Sequence, residues 1–138
     1  MIRKMIITAA LLATLIGSAA AQENMTLATK QKLARRSYLL ALKSEHACIR
    51  NSATFQVMQY QTRFPQDDMN LFVKSLRELS RNDPVPQNRL YAFLAHTFLE
   101  NQRLLNAAGT PPKGEDEKEI YFVRLQEILH NNETLASK

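Results

Sequence analysis

The chain has 138 residues with 18 basic and 13 acidic side chains, a formal net charge of +5, one cysteine and no tryptophan. One cysteine excludes a disulfide framework and a multi-cysteine zinc site, and three glycines leave no room for a glycine-rich phosphate loop. The length suits a single domain around one core.

Residues 1–21 read as an export signal. Arg3 and Lys4 precede the apolar run Met5–Ile16, Gly17-Ser18 interrupts it, and Ala19 and Ala21 supply the small side chains that a signal peptidase accepts. The run has 12 residues, whereas a bilayer span needs roughly 20. Cleavage after Ala21 leaves 117 residues and lowers the charge to +3, because Arg3 and Lys4 are removed. The short charged start and alanine-rich end look bacterial. They predict a periplasmic or secreted protein with no stable membrane insertion and no access to nucleic acid. Residues 22–132 are expected to form one helical domain, with 133–138 as a frayed tail.

From Gln22 to Ala108 there is no glycine, and apolar residues recur at helical spacing without alternation of period two. The first helix is expected to be capped at Asn24 or Thr26 and to run to about Arg50, burying Leu33, Leu40 and Ala47. Asn51-Ser52 would then break or kink it. A second run carries Phe55, Met58 and Phe64 as far as Pro65. After a cap in Gln66-Asp67-Asp68, the residues Met69, Phe72, Val73, Leu76 and Leu79 form the strongest periodic stripe, which Asn82-Asp83-Pro84 ends.

Pro86 suits the first turn of the next helix, where its missing N–H costs little. That helix is expected to carry Leu90, Phe93, Leu94, Phe98, Leu105 and Ala108 as its apolar stripe, and to stop at Gly109. Thr110–Gly114 is a loop. Glu115-Asp116-Glu117 opens the last helix with the charge its dipole prefers, and Tyr121, Phe122, Leu125, Ile128 and Leu129 form its buried face up to His130–Asn132. The prediction is an all-α protein, a compact bundle of four to five antiparallel helices.

Chemistry-bearing patterns are sparse. Cys48, between Ala47 and Ile49, is expected to be a buried small hydrophobe, since free cysteine is among the most buried residue types. His46 is two residues away, which on a helix points it to nearly the opposite side. His96 and Glu100 have i, i+4 spacing and could give two metal ligands, fewer than a site requires. Gly-x-Ser-x-Gly, His-Glu-x-x-His and Cys-x-x-Cys-His are all missing from the sequence. No enzyme activity, metal or other cofactor is expected.

Charge is distributed unevenly. Residues 22–64 carry seven basic and two acidic groups, a net +5, and residues 65–138 carry nine and eleven, a net −2. Arg36, Lys43 and Arg50 repeat every seven residues and would form a basic rail beside the Leu33–Leu40–Ala47 stripe. The sequence therefore suggests a non-enzymatic module that binds a protein with an acidic surface, as an inhibitor, an immunity protein or an accessory factor of an envelope machine. Arg36, Tyr38, Lys43, Tyr60 and Arg63 are the candidate contact residues. The competing reading is a binder of a small apolar or anionic envelope ligand such as a lipid, and a small envelope hydrolase comes third. The sequence leaves a homodimer open.

Overall fold

The computed structural model describes residues 25–136. The export signal and its cleavage positions Ala19 and Ala21 lie outside the described residues. Among the described residues there are six α helices and no strand: α1 (Leu27–Ala41), α2 (Ala47–Arg63), α3 (Asn70–Asn82), α4 (Pro86–Glu100), α5 (Gln102–Ala108) and α6 (Lys118–Ala136), the last preceded by a 3₁₀ turn at Glu115–Glu117. None of them is long and apolar enough to cross a membrane.

The chain divides into two units, Met1–Arg35 and Arg36–Lys138, so the boundary falls within α1. In the first unit, Thr26 Oγ1 accepts a hydrogen bond from the Thr29 amide at 3.2 Å and caps α1. No residue of α1 is buried. The expected core stripe is absent there: Leu33 is 48% and Leu40 62% exposed.

The second unit is organised by α4, which packs on α2, α3, α5 and α6. A helix with neighbours on so many sides must bury more than one stripe. Tyr91, Ala92, Leu94, Ala95 and Phe98 all lie inside. Ala92 and Ala95 keep that surface thin, so adjoining helices can approach closely. Leu90 and Phe93, expected in the core by their size, instead stand exposed. Around α4 the core contains Phe55, Val57 and Met58 from α2, Phe72 and Leu76 from α3, Leu104 from α5, and Phe122 and Leu125 from α6. Phe122 stacks on Tyr91 with ring centroids 4.0 Å apart and planes 12° from parallel.

Two helix breaks fall where the sequence predicts continuity. The first occupies residues 42–46, ahead of Asn51-Ser52, which lie inside α2. Leu42 in this turn is buried. The Ser44 hydroxyl accepts from the His46 amide at 3.2 Å, and Arg50 reaches back to the carbonyls of Ser44 and Glu45 at 2.8 and 2.9 Å.

The second break is at Asn101. Its carboxamide oxygen accepts from the amides of Arg103 and Leu104 at 3.0 and 3.2 Å and starts α5. The expected stop at Gly109 is present, with φ of +74°. At the far end, α6 continues to Ala136, beyond the expected end near Asn132.

Candidate functional site

The strongest polar constellation among the described residues is a buried latch at the start of α2. Arg50 donates from Nε to Asp83 Oδ2 at 2.6 Å and from Nη2 to Oδ1 at 3.0 Å, a bidentate pair with the carboxylate side chain fully enclosed. Asp83 Oδ1 also accepts from the Val85 amide at 2.9 Å, which shapes the entry to α4. Asn88 donates to the Ala47 carbonyl at 3.0 Å and accepts from Asn51 at 2.9 Å. Arg89 donates to the Asp83 carbonyl at 2.7 Å.

Hydrogen bonding to Arg50 holds the Asp83 carboxyl below its ordinary range, against the opposing pull of burial. The same bonds raise the Arg50 pKa. With its donors taken up inside the protein, Arg50 is not part of a solvated basic rail. Lys43 also leaves the proposed helical register, because it lies in the turn after α1.

The five candidate contact residues fall into different environments. Arg36 and Lys43 are exposed, and Lys43 borders a cleft of about 490 Å³ beside the latch that Glu78 and Leu79 also line. Tyr38 is half-buried, its ring edge-on to Tyr60 at 6.1 Å. Tyr60 is not a surface residue: it is 3% exposed, its hydroxyl donates to Asp67, and its ring packs on Phe64 and Phe72. Arg63, in the last turn of α2, is exposed, with its guanidinium carbon 5.6 Å from the centre of the Phe64 ring.

Cys48 corrects another expectation, since its side chain is exposed. The buried residues of α2 start at Arg50 and continue through Thr54, Val57 and Met58. Residue 48 stands two places from that row and so faces away from it. On α4, His96 Nδ1 lies 3.1 Å from Glu100 Oε2, and Glu100 also accepts from Arg77 on α3. The His–Glu pair thus belongs to an interhelical charge cluster. Among the described residues no group of three or more His, Cys, Asp or Glu side chains is placed to hold a metal ion.

A second constellation surrounds the Thr110–Lys113 loop, which the sequence identifies only as a connection. Gln59 on α2 donates from Nε2 to the Pro112 carbonyl at 2.6 Å, and Tyr121 on α6 donates to the Gly109 carbonyl at 2.6 Å. Burial pushes the Tyr121 hydroxyl up to about 12, although nearby Arg124 acts in the opposite direction. Pro111 is buried.

On one side of this pinned loop, Gln59, Thr62 and Arg63 face Thr110–Lys113 across a groove of about 590 Å³. On the other, a hollow of about 200 Å³ is bordered by Glu117, Ile120 and Arg124 and shares Thr110 and Pro112 with the groove. Ile120 is 68% exposed, and Val123 one turn later is also exposed. Arg63 and Lys113 make no ion pair among the described residues. Glu115 next to the loop is held by Lys118 at 2.7 Å and by the Ser52 hydroxyl at 2.6 Å. Burial raises its pKa, but these two hydrogen bonds outweigh it and the net shift is downward.

The sequence points to Arg63 but not to the elements that make its surroundings a site. Gln59 and Pro112 are 53 positions apart, and no local pattern announces their contact. The adjacent prolines were the available signal, since they make the loop stiff. No family model, curated protein or solved structure matches this chain.

Proposed function

We infer that the chain is an exported, non-enzymatic protein-binding module. In this reading, residues 1–21 are removed and the mature chain works in the periplasm or medium, with residues 36–138 as a compact antiparallel bundle. It would act on another protein as an inhibitor, an immunity protein or an accessory factor of an envelope machine. The observation that carries the reading is the prebuilt face around Thr110–Lys113. Its backbone is pinned from two helices, its cations Arg63 and Lys113 make no ion pair among the described residues, and Ile120 stands open beside it.

A surface already held in place loses little conformational freedom on association, and a few arginine or apolar anchors can dominate binding energy. By contrast, the strongest ion pair, Arg50–Asp83, is engaged in joining helices.

The test is capture of the tagged full-length chain after crosslinking in intact cells of the source organism. The expected result is one protein partner crosslinked to a mature form beginning at Gln22. Recovery of a phospholipid or small molecule with no protein would favour the ligand-binding alternative. Hydrolysis of peptidoglycan or phospholipid by the purified chain would overturn the non-enzymatic reading.

A further inference from the structure

We propose that the Thr110–Lys113 face takes an acidic, leucine-containing segment of its protein partner, with carboxylates between Arg63 and Lys113 and an apolar side chain on Ile120. This rests on the protein-binding reading and adds the site and the chemistry of the segment.

Three observations carry it. The groove on the Arg63 side presents, against a proline-stiffened wall, two cations that make no ion pair among the described residues. Other exposed cations such as Lys74 and Arg81 also make no ion pair among the described residues, and what distinguishes Arg63 and Lys113 is that they share one groove with the pinned loop. Bringing a carboxylate to Arg63 and Lys113 therefore breaks no ion pair among the described residues, and arginine offers it a bidentate fit.

On the other side of the loop, Glu117 offsets Arg124, so that hollow has no net charge, and Ile120 at 68% exposure is its most open apolar group. The charge of the lining thus changes across the loop from cationic to neutral, with Ile120 as the open apolar side chain on the neutral side, which gives a bound segment a direction. Finally, Glu115, Asp116 and Glu117 follow the loop directly. Their charges oppose a broad anionic bilayer pressed against this face and leave the Arg63 side of the loop as the place for a segment's carboxylates.

The probe is a fluorescein-labelled octapeptide, Glu-Glu-Leu-Glu-Glu-Leu-Glu-Leu, titrated with the purified mature protein at about 0.1 M salt, where charges more than roughly 10 Å apart are largely screened. Saturable binding is expected. The double variant Arg63→Glu, Lys113→Glu should weaken it by about tenfold or more, as removal of close complementary charges does. Ile120→Ser should weaken it about threefold, in line with the loss of one partly covered apolar side chain. The charge-matched control Lys74→Glu, Arg81→Glu on α3 should bind like the parent, and circular dichroism should show all variants folded.

Absence of peptide binding, equal weakening in the charge-matched control, or displacement of the peptide by phosphatidylglycerol vesicles would each overturn the site. In the crosslinking experiment, a partner still captured by the Arg63→Glu, Lys113→Glu variant would overturn this site and leave the protein-binding reading standing. Failure of the parent chain to capture any protein would overturn that reading itself.

Discussion

Arg50 and Arg63 lie near opposite ends of α2, and their surroundings put the same side chain to opposite uses. Arg50 is enclosed, forms a bidentate pair with Asp83, and ties the preceding turn to α2 through two carbonyls. Arg63 is in solvent beside a groove, with an aromatic ring and a proline loop as neighbours. Enclosure makes an unmatched charge costly, so the first arginine is confined to one partner. Exposure makes an unmatched charge cheap, which leaves the second available to a ligand. The comparison predicts that loss of charge at Arg50 will damage the fold, whereas loss at Arg63 will damage only association.

The largest expected effect is at the latch. Asp83→Ala strands Arg50 in the interior and should lower the free energy of unfolding by about 3–5 kcal/mol, measured by urea denaturation. The double variant Arg50→Met, Asp83→Leu removes both charges and should recover much of that loss. If Asp83→Ala costs no more than a typical surface change, the pair is not the clamp described above.

Acid provides a gentler perturbation of the same pair. The folded pKa of Asp83 lies below the reference value of 3.8, so its contribution is complete well above that value and is lost as pH falls through the folded pKa. Melting temperature should therefore decline at acid pH. That decline should be shallower in Asp83→Asn than in the parent, even though the variant begins less stable.

At the other region, Tyr121→Phe leaves the Gly109 carbonyl without its donor and should cost about 1 kcal/mol. Faster amide exchange in the Thr110–Lys113 loop should accompany it. Tyr121 also has a signature at high pH. Its pKa is raised from 10.0 to about 12, so its share of stability is complete below the lower value and is lost as pH rises towards the upper one. The phenylalanine variant should lack that alkaline component. The smallest effect is expected from Arg63→Glu or Lys113→Glu, each changing stability by no more than about 0.5 kcal/mol. A larger change would show that these cations support the fold.

Local chemistry accounts for the elements that were legible in the sequence. Phe72 and Leu76 are buried on α3, Pro86 opens α4, and Gly109 closes α5. Each depends on spacing or on a residue with a fixed backbone preference. The turn at 42–46 was illegible because it contains neither glycine nor proline and is secured by Arg50, itself fixed by an aspartate 33 residues later. The exposed positions of Phe93 and Cys48 reflect where neighbouring helices pack, and hydrophobicity cannot reveal that. The candidate surface was visible in one residue, Arg63. Its remaining parts are assembled from α2, the proline loop and α6, so no single stretch of sequence contains it.

The bend at Asn101 has a consequence for how easily this architecture could change. No proline or glycine enforces it; one carboxamide, accepting from two amides, sets the corner. Leucine at that position would remove the acceptor and supply a good helix former, so the flanking segments would tend to merge into a single straight rod. Leu104, now enclosed, would then be carried out into water. A one-codon change at this corner could therefore redirect everything after residue 101 while leaving every core side chain chemically intact.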